Sequence, residues 1–415
     1  MADPRSRRRL SPNLVAGVVL LALAAGVLLW QRPWSSSDPD DAPEIPADAA
    51  TVLADQFRAL SAADSEDAFV KAAGSGSAAR SFARDAWAAR AALDVRDVEL
   101  RYLRGGEVAD RADGSTTVQA AVSWTAGPDS VVTGTSVRDA TVRFRVDPRR
   151  DGTFAIRSAT STEPLPLWLA GRVDVQRKPG VRVIAVDGGV PGLDVMSMAR
   201  TAASTVRSVV RGVDGDLTVV SPATRALTAT LVGRSQQDVE PIAAVTTTVD
   251  GGTKTARVIV LNPDQFRTMD ARAAQVVVTH EATHQLTDAV GTSPEPWVAE
   301  GFADFVALHD DDAPLTLSAG QALRSVRENG APRALPSAAD FGGAGRGLGA
   351  VYEEAWLVFR MLGERLDDAR IVRFYRDVLQ GDSADKAARA DLGLTVKQIT
   401  ADWRRYLTNK ASTVS

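Results

Sequence analysis

At 415 residues, with 45% hydrophobic and 24% charged residues, the chain is long enough for two folded domains beyond any tail. A net charge of −4 leaves no basic footprint for nucleic acid. The lack of cysteine excludes disulfides, Cys-based zinc sites and a lipidated lipobox cysteine, and leaves the compartment open.

Arg5, Arg7, Arg8 and Arg9 precede an uncharged apolar run from Leu14 to Trp30. That run reaches the lower length limit for a bilayer span, about 17 residues. The chain therefore reads as a cytoplasmic tail (1–12), a transmembrane helix (13–30) and a flexible linker (31–47) rich in Ser, Pro and Asp. Trp30 and Trp34 sit at the outer interface, and the positive-inside rule puts all that follows outside the cytoplasmic membrane. The competing reading is a cleaved signal peptide, for which Ala47-Asp48-Ala49 has the small-x-small form but lies far from the apolar run.

Residues 48–166 read as an α+β domain. Val52, Leu53, Phe57 and Leu60 have helical spacing. Val142, Phe144 and Val146 alternate with Arg143 and Arg145 at strand spacing, and similar runs occur at 98–103, 118–124 and 154–156. Helices followed by a curved antiparallel sheet resemble the NTF2-like fold. No catalytic constellation is legible there; the domain reads as a spacer or as a substrate-recruiting module.

Pro164-Leu165-Pro166 punctuates the chain and opens a second domain, 167–410. Strands are expected at 173–175, 181–186, 217–220, 242–247 and 256–261, with a helix over 193–210. A long helix then has Asp270 as N-cap, no Pro or Gly from Ala271 to Val290, and Gly291 as its stop. A second helix starts near Trp297 and runs to about Leu308, and further helices are expected over 351–366, 369–379 and 396–407. The Gly-rich stretch 341–349 lacks G-K-[ST], so it is no phosphate loop.

The long helix carries His280-Glu281-Ala282-Thr283-His284. Two imidazoles four residues apart lie on one helix face and can hold one Zn²⁺. Glu281, about 100° around the helix, points beside the metal as a general base. Glu300, in Trp297-Val298-Ala299-Glu300-Gly301-Phe302-Ala303-Asp304, supplies a third ligand from the second helix. Two neutral His and a carboxylate leave zinc an open position for water, the arrangement of catalytic rather than structural sites. A bare H-E-x-x-H also arises by chance on solvated helices. Here two of only three His form the motif, and Glu300 lies in an apolar helix where an unpaired carboxylate is costly.

H-E-A-T-H followed by W-V-A-E-G-F-A-D-F resembles the gluzincin metallopeptidases, especially the compact bacterial peptidase-MA-like domains. The resemblance spans roughly Val181 to Leu407. It implies His280, His284 and Glu300 as zinc ligands, Glu281 as base, and Asp304 as the carboxylate that orients the first His; the alternative for Asp304 is an ordinary exposed helix carboxylate. It further implies an edge strand above the metal for an extended peptide, from 257–262 or 242–247. The family's oxyanion donor is matched by Tyr352, which the alternative reading makes a core tyrosine. His309 reads as a helix end or solvated loop, with calcium binding by Asp310-Asp311-Asp312 a weak alternative. Three features depart from neighbouring families: a short His284-to-Glu300 segment, no G-x-M-E-N of the zinc aminopeptidases, and Thr287 and Val290 where metzincins need Gly and His.

The expected fold class is α+β: a membrane helix, an NTF2-like domain, then a gluzincin-type domain of small sheet plus mainly helical C-terminal part. The expected function is a membrane-anchored, extracytoplasmic, Zn²⁺-dependent peptidase with a peptide or protein substrate. The alternative is a catalytically silent binding or scaffolding protein that works through its N-terminal domain.

Overall fold

The computed structural model describes residues 47–105, 115–127, 130, 137–248, 257–289, 292, 294–342 and 347–413. The expected tail, membrane span and nearly all of the linker lie outside them, and no helix among the described residues is long and apolar enough to cross a membrane.

The architecture is α+β. Three helices open it: α1 (Ala47–Ala62), α2 (Glu66–Ala72) and α3 (Ser77–Ala92). An antiparallel meander follows, with β1 (Val95–Gly105), β2 (Thr116–Ala126), β3 (Arg138–Pro148) and β4 (Phe154–Thr160) in sequential order. Leu53, Phe57 and Leu60 line one face of α1 and are buried against the inward-facing Val118, Val122, Val142 and Phe144 of the sheet. Phe57 meets Phe144 with ring centroids 5.2 Å apart. Gln56 clamps the helices to the last strand: its side chain accepts from Phe154 N–H at 2.9 Å and donates to the Phe154 carbonyl at 2.9 Å.

The second sheet contains β5 (Val173–Lys178), β6 (Val181–Val186), β7 (Leu217–Pro222), β8 (Ala244–Thr248) and β9 (Arg257–Leu261) in the order β5-β6-β7-β9-β8. The β6, β7 and β9 strands are parallel, while β5 and β8 run antiparallel on the two edges. Helix α4 (Val195–Val209) makes the crossover from β6 to β7, and α5 (Arg225–Val232) follows β7. One face of this sheet, through Leu217, Val219, Ile259 and Leu261, packs on the helices of the C-terminal half. Its other face, through Ile184, Val220, Val258 and Val260, shares a core with Leu165, Trp168 and the N-terminal helices and meander. The Pro164–Pro166 segment thus passes through apolar packing. Truncating the fully buried Trp168 to Ala would cost roughly 3–5 kcal/mol.

Helix α6 (Ala271–Leu286) lies across the first face and is followed by α7 (Pro296–Ala307), α8 (Gly320–Asn329), α9 (Leu348–Gly363), α10 (Asp368–Leu379) and α11 (Val396–Thr413). Residues Val276 to His284 of α6 are all buried, so the helix is enclosed on every side rather than amphipathic. Gln275 donates to the Met198 carbonyl at 3.1 Å, and Gln285 accepts from Thr218 N–H at 3.2 Å, pinning α6 to α4 and β7.

Three expectations are corrected. The 257–262 segment is interior, and the edge is β8, because β9 inserts between β7 and β8. Helix α6 ends at Leu286 rather than at Val290. Thr283 and Thr287 return hydroxyl bonds to the carbonyls four residues back, and Asp288 adopts φ 54°, taking the left-handed stop expected of Gly291. Tyr352 lies in the second turn of α9 rather than opening it, since the helix starts at Leu348. The reading of the sequence also missed α8, whose sequence Gly-Gln-Ala-Leu-Arg-Ser-Val-Arg-Glu-Asn buries only Ala322, Leu323 and Val326.

Candidate metal centre

The site begins with helix caps. Asp270 accepts from Ala273 N–H at 2.8 Å and starts α6 in the register that turns His280 and His284 inward. Pro296 occupies the first turn of α7, where its missing N–H has no cost, and Trp297 anchors that end by donating to Glu295 at 2.8 Å. With α7 packed against α6, Glu300 and Asp304, one turn apart, both face His280.

His280, His284 and Glu300 form the one group of three or more potential ligands among the described residues, with ligand atoms within 4.8 Å of one another. All three are buried. His280 Nε2 lies 3.0 Å from His284 Nε2 and 3.1 Å from Glu300 Oε2, and His284 Nε2 lies 3.5 Å from the same oxygen. A tetrahedral zinc with bonds of about 2.0–2.1 Å needs ligand–ligand edges of about 3.3 Å. The three edges straddle that value.

The charges at the cluster are buried and closely coupled. Asp304 Oδ1 is 2.7 Å from His280 Nδ1 and accepts its N–H, which leaves Nε2 as the nitrogen turned toward a metal. His280 Nε2 faces a second imidazole nitrogen and a carboxylate oxygen. Glu300 Oε1 and Asp304 Oδ2 are buried without a hydrogen-bond partner among the described residues. Burial works against a charged His280, but Asp304 and Glu300 outweigh it and hold its pKa well above the usual imidazole value. Burial likewise raises Glu300, yet the imidazoles of His284 and His280 bring it down to about 2. Asp304 is raised, because its burial exceeds the pull of His280. These buried carboxylates need positive charge beside them, which a divalent cation held by the three side chains would supply. The residues fit zinc.

Glu281 is 4% exposed and lies beside the ligand cluster rather than in it. Its carboxylate Oε2 accepts from Thr246 Oγ1 of β8 at 2.7 Å. Tyr352 is fully buried, its ring 6.5 Å from that of His280 and edge-on to Phe341 at 4.9 Å. Burial, and then the carboxylates of Glu300, Asp304 and Glu281, push its hydroxyl well above the usual phenol value. It thus belongs both to the core and to the edge of the candidate ligand cluster. Asp304 is fully buried, so the exposed-carboxylate reading falls away.

His309 stands apart from the cluster. Its ring nitrogens lie 2.8 Å from Asp310 and 2.9 Å from Asp368, tying the end of α7 to the start of α10. Asp311 pairs with Arg272 at the start of α6, so the Asp run holds helices together. Thr246 was not singled out from the sequence. A threonine in a strand of alternating residues carries no local sign that it meets a helix thirty-five positions later.

No family model and no curated protein matches the chain. Among solved structures, it is similar to an M1 zinc metallopeptidase from Deinococcus radiodurans, at TM-score 0.38 and 14% identity over 70% of this chain and 62% of that one. A mutant of that enzyme bound to a Tyr-Ser-Ala substrate gives TM-score 0.34 and 13% identity, again over 70% and 62%. The chain therefore spans less than two thirds of these structures. Likeness this slight assigns neither a fold family nor an activity.

Proposed function

We propose that this chain is a zinc-dependent peptidase that hydrolyses peptide bonds with a Glu general base. The carrying observation is the buried convergence of His280 Nε2, His284 Nε2 and Glu300 Oε2, with Glu281 beside it and outside the ligand set. Zinc held there supplies Lewis acidity and acidifies a water to near neutral pKa. The protein's own residues do the rest. Asp304 fixes His280 in its metal-binding tautomer. Glu281 accepts the proton of the attacking water and delivers it to the leaving amine. The Tyr352 hydroxyl donates to the oxygen that becomes negative as the carbonyl is attacked.

Edge strand β8 supports a peptide substrate. Among the described residues it is bonded to β9 on one side only, so an extended chain can add along the other and pass the ligand cluster. The gluzincin resemblance of the two motifs supports the same reading, as does the NTF2-like order of the N-terminal elements for a recruiting domain. The Arg-flanked apolar run at 14–30 supports anchoring in the cytoplasmic membrane, with the folded part outside.

A peptide-library cleavage assay of the zinc-loaded protein tests the proposal. We expect cleavage that Glu281→Gln abolishes while zinc content is retained. Absence of cleavage across a broad library, from protein with full zinc, would favour a silent binding protein.

A further inference from the structure

We propose that Thr246 is a positioning residue for the general base, so that the edge strand meant to receive substrate also sets the orientation of Glu281. This rests on the peptidase reading above.

Thr246 Oγ1 lies 2.7 Å from Glu281 Oε2 and 3.0 Å from the Glu281 carbonyl. Both residues are buried, Thr246 at 7% exposure and Glu281 at 4%. A hydroxyl has one proton, and both neighbours are acceptors. The bond to the carboxylate is the shorter and the charge-assisted one. It is also a constraint. A Glu side chain has three rotatable bonds, and without a partner its carboxylate would sample several orientations beside the ligands. A β-branched donor is held stiffly at χ1, so it passes the orientation of the strand to the carboxylate.

The strand is itself firmly placed. Asn262, fully buried, donates to the carbonyls of Val239 and Ile242 at 2.8 Å each, and its own N–H donates to the Ala243 carbonyl at 2.7 Å. Ala244 packs into the core on the helix side and Val245 into the core on the opposite side. The alternation then turns Thr246 toward α6. A one-residue slip of β8 would aim Val245 or Thr247 at Glu281 instead.

Thr246→Val keeps the shape and removes the donor; Thr246→Ser keeps the donor. On a good peptide substrate, Thr246→Val should lower kcat about tenfold to a hundredfold, the value of a hydrogen bond to a charged group. KM should change far less, zinc content should stay at the wild-type level, and Thr246→Ser should recover most of the loss. Thr246→Ala carries the same test should the valine variant fail to fold. A kcat unchanged in Thr246→Val, or equal losses in the Val and Ser variants, overturns the proposal.

Crystal structures of zinc-loaded wild type and Thr246→Val give a readout independent of turnover. Glu281 should hold one orientation on Thr246 in the first and leave it in the second. An identical, equally ordered Glu281 in both overturns the positioning role whether or not the protein cleaves peptides. Movement of Glu281 in a protein that cleaves nothing upholds the positioning and refutes the peptidase reading.

Discussion

Gly301 meets the Ala355 carbonyl so closely that a Cβ built on it would lie 2.5 Å from that oxygen and 2.9 Å from the Phe359 ring. This contact sets the separation between α7, which carries Glu300, and α9, which carries Tyr352. Gly301→Ala gains about 1 kcal/mol of helix propensity. It also drives a methyl into backbone, and such overpacking costs about 1–3 kcal/mol. The steric cost should win, because neither helix can yield without breaking the aromatic packing of Phe302, Phe359 and Tyr375. We expect a lower denaturation midpoint together with weaker zinc binding. Wild-type values of both would show that the spacing is not under tension from this contact.

Tyr352→Phe separates the two roles of that ring. If the hydroxyl donates to the developing oxyanion, kcat should fall by about 10²–10³ with a smaller effect on KM. Zinc content and thermal stability should stay near wild type, because the ring still packs on Phe341. Unchanged turnover would leave Tyr352 as a core residue alone.

Glu353 gives the fold a pH signature. Its carboxylate accepts from Ala322 N–H at 2.7 Å and so caps α8, whose own N-cap Ala319 has no side-chain acceptor to offer. Burial nevertheless dominates and raises its pKa from 4.5 to about 8. Between those values the folded protein keeps a proton that the unfolded chain has released. The unfolded state then binds fewer protons, so stability falls as pH rises through this window and levels off above it. Glu353→Gln, which keeps an acceptor and cannot ionise, should flatten that part of the profile and exceed wild type in stability near pH 9. Urea denaturation at several pH values measures it, and parallel profiles for the two proteins would contradict the assignment.

The convergence of His280, His284 and Glu300 was legible because the chemistry that suggests it is local. The H-E-x-x-H spacing needs only a helix, and Glu300 in an apolar segment signals a partner by its cost. The strands of the second sheet were legible from their Val- and Ile-rich runs. Their spatial order was not, since nothing in 257–261 says that it inserts between β7 and β8. The end of α6 was misjudged because Gly291 outweighed Asp288, a residue that also tolerates left-handed backbone. Helix α8 escaped notice because its end is capped by Glu353 from a distant helix rather than by its own residues. Thr246 escaped for the same reason: its function lies in a contact between segments, and only the fold makes that contact.

The central claim is tested most directly by the zinc content of protein prepared without chelators, measured by elemental analysis beside Glu281→Gln and Glu300→Ala. We expect one zinc per chain in the wild type, the same in Glu281→Gln, and a marked loss in Glu300→Ala. A wild-type content well below one that added zinc does not restore, or an undiminished content in Glu300→Ala, would contradict the site.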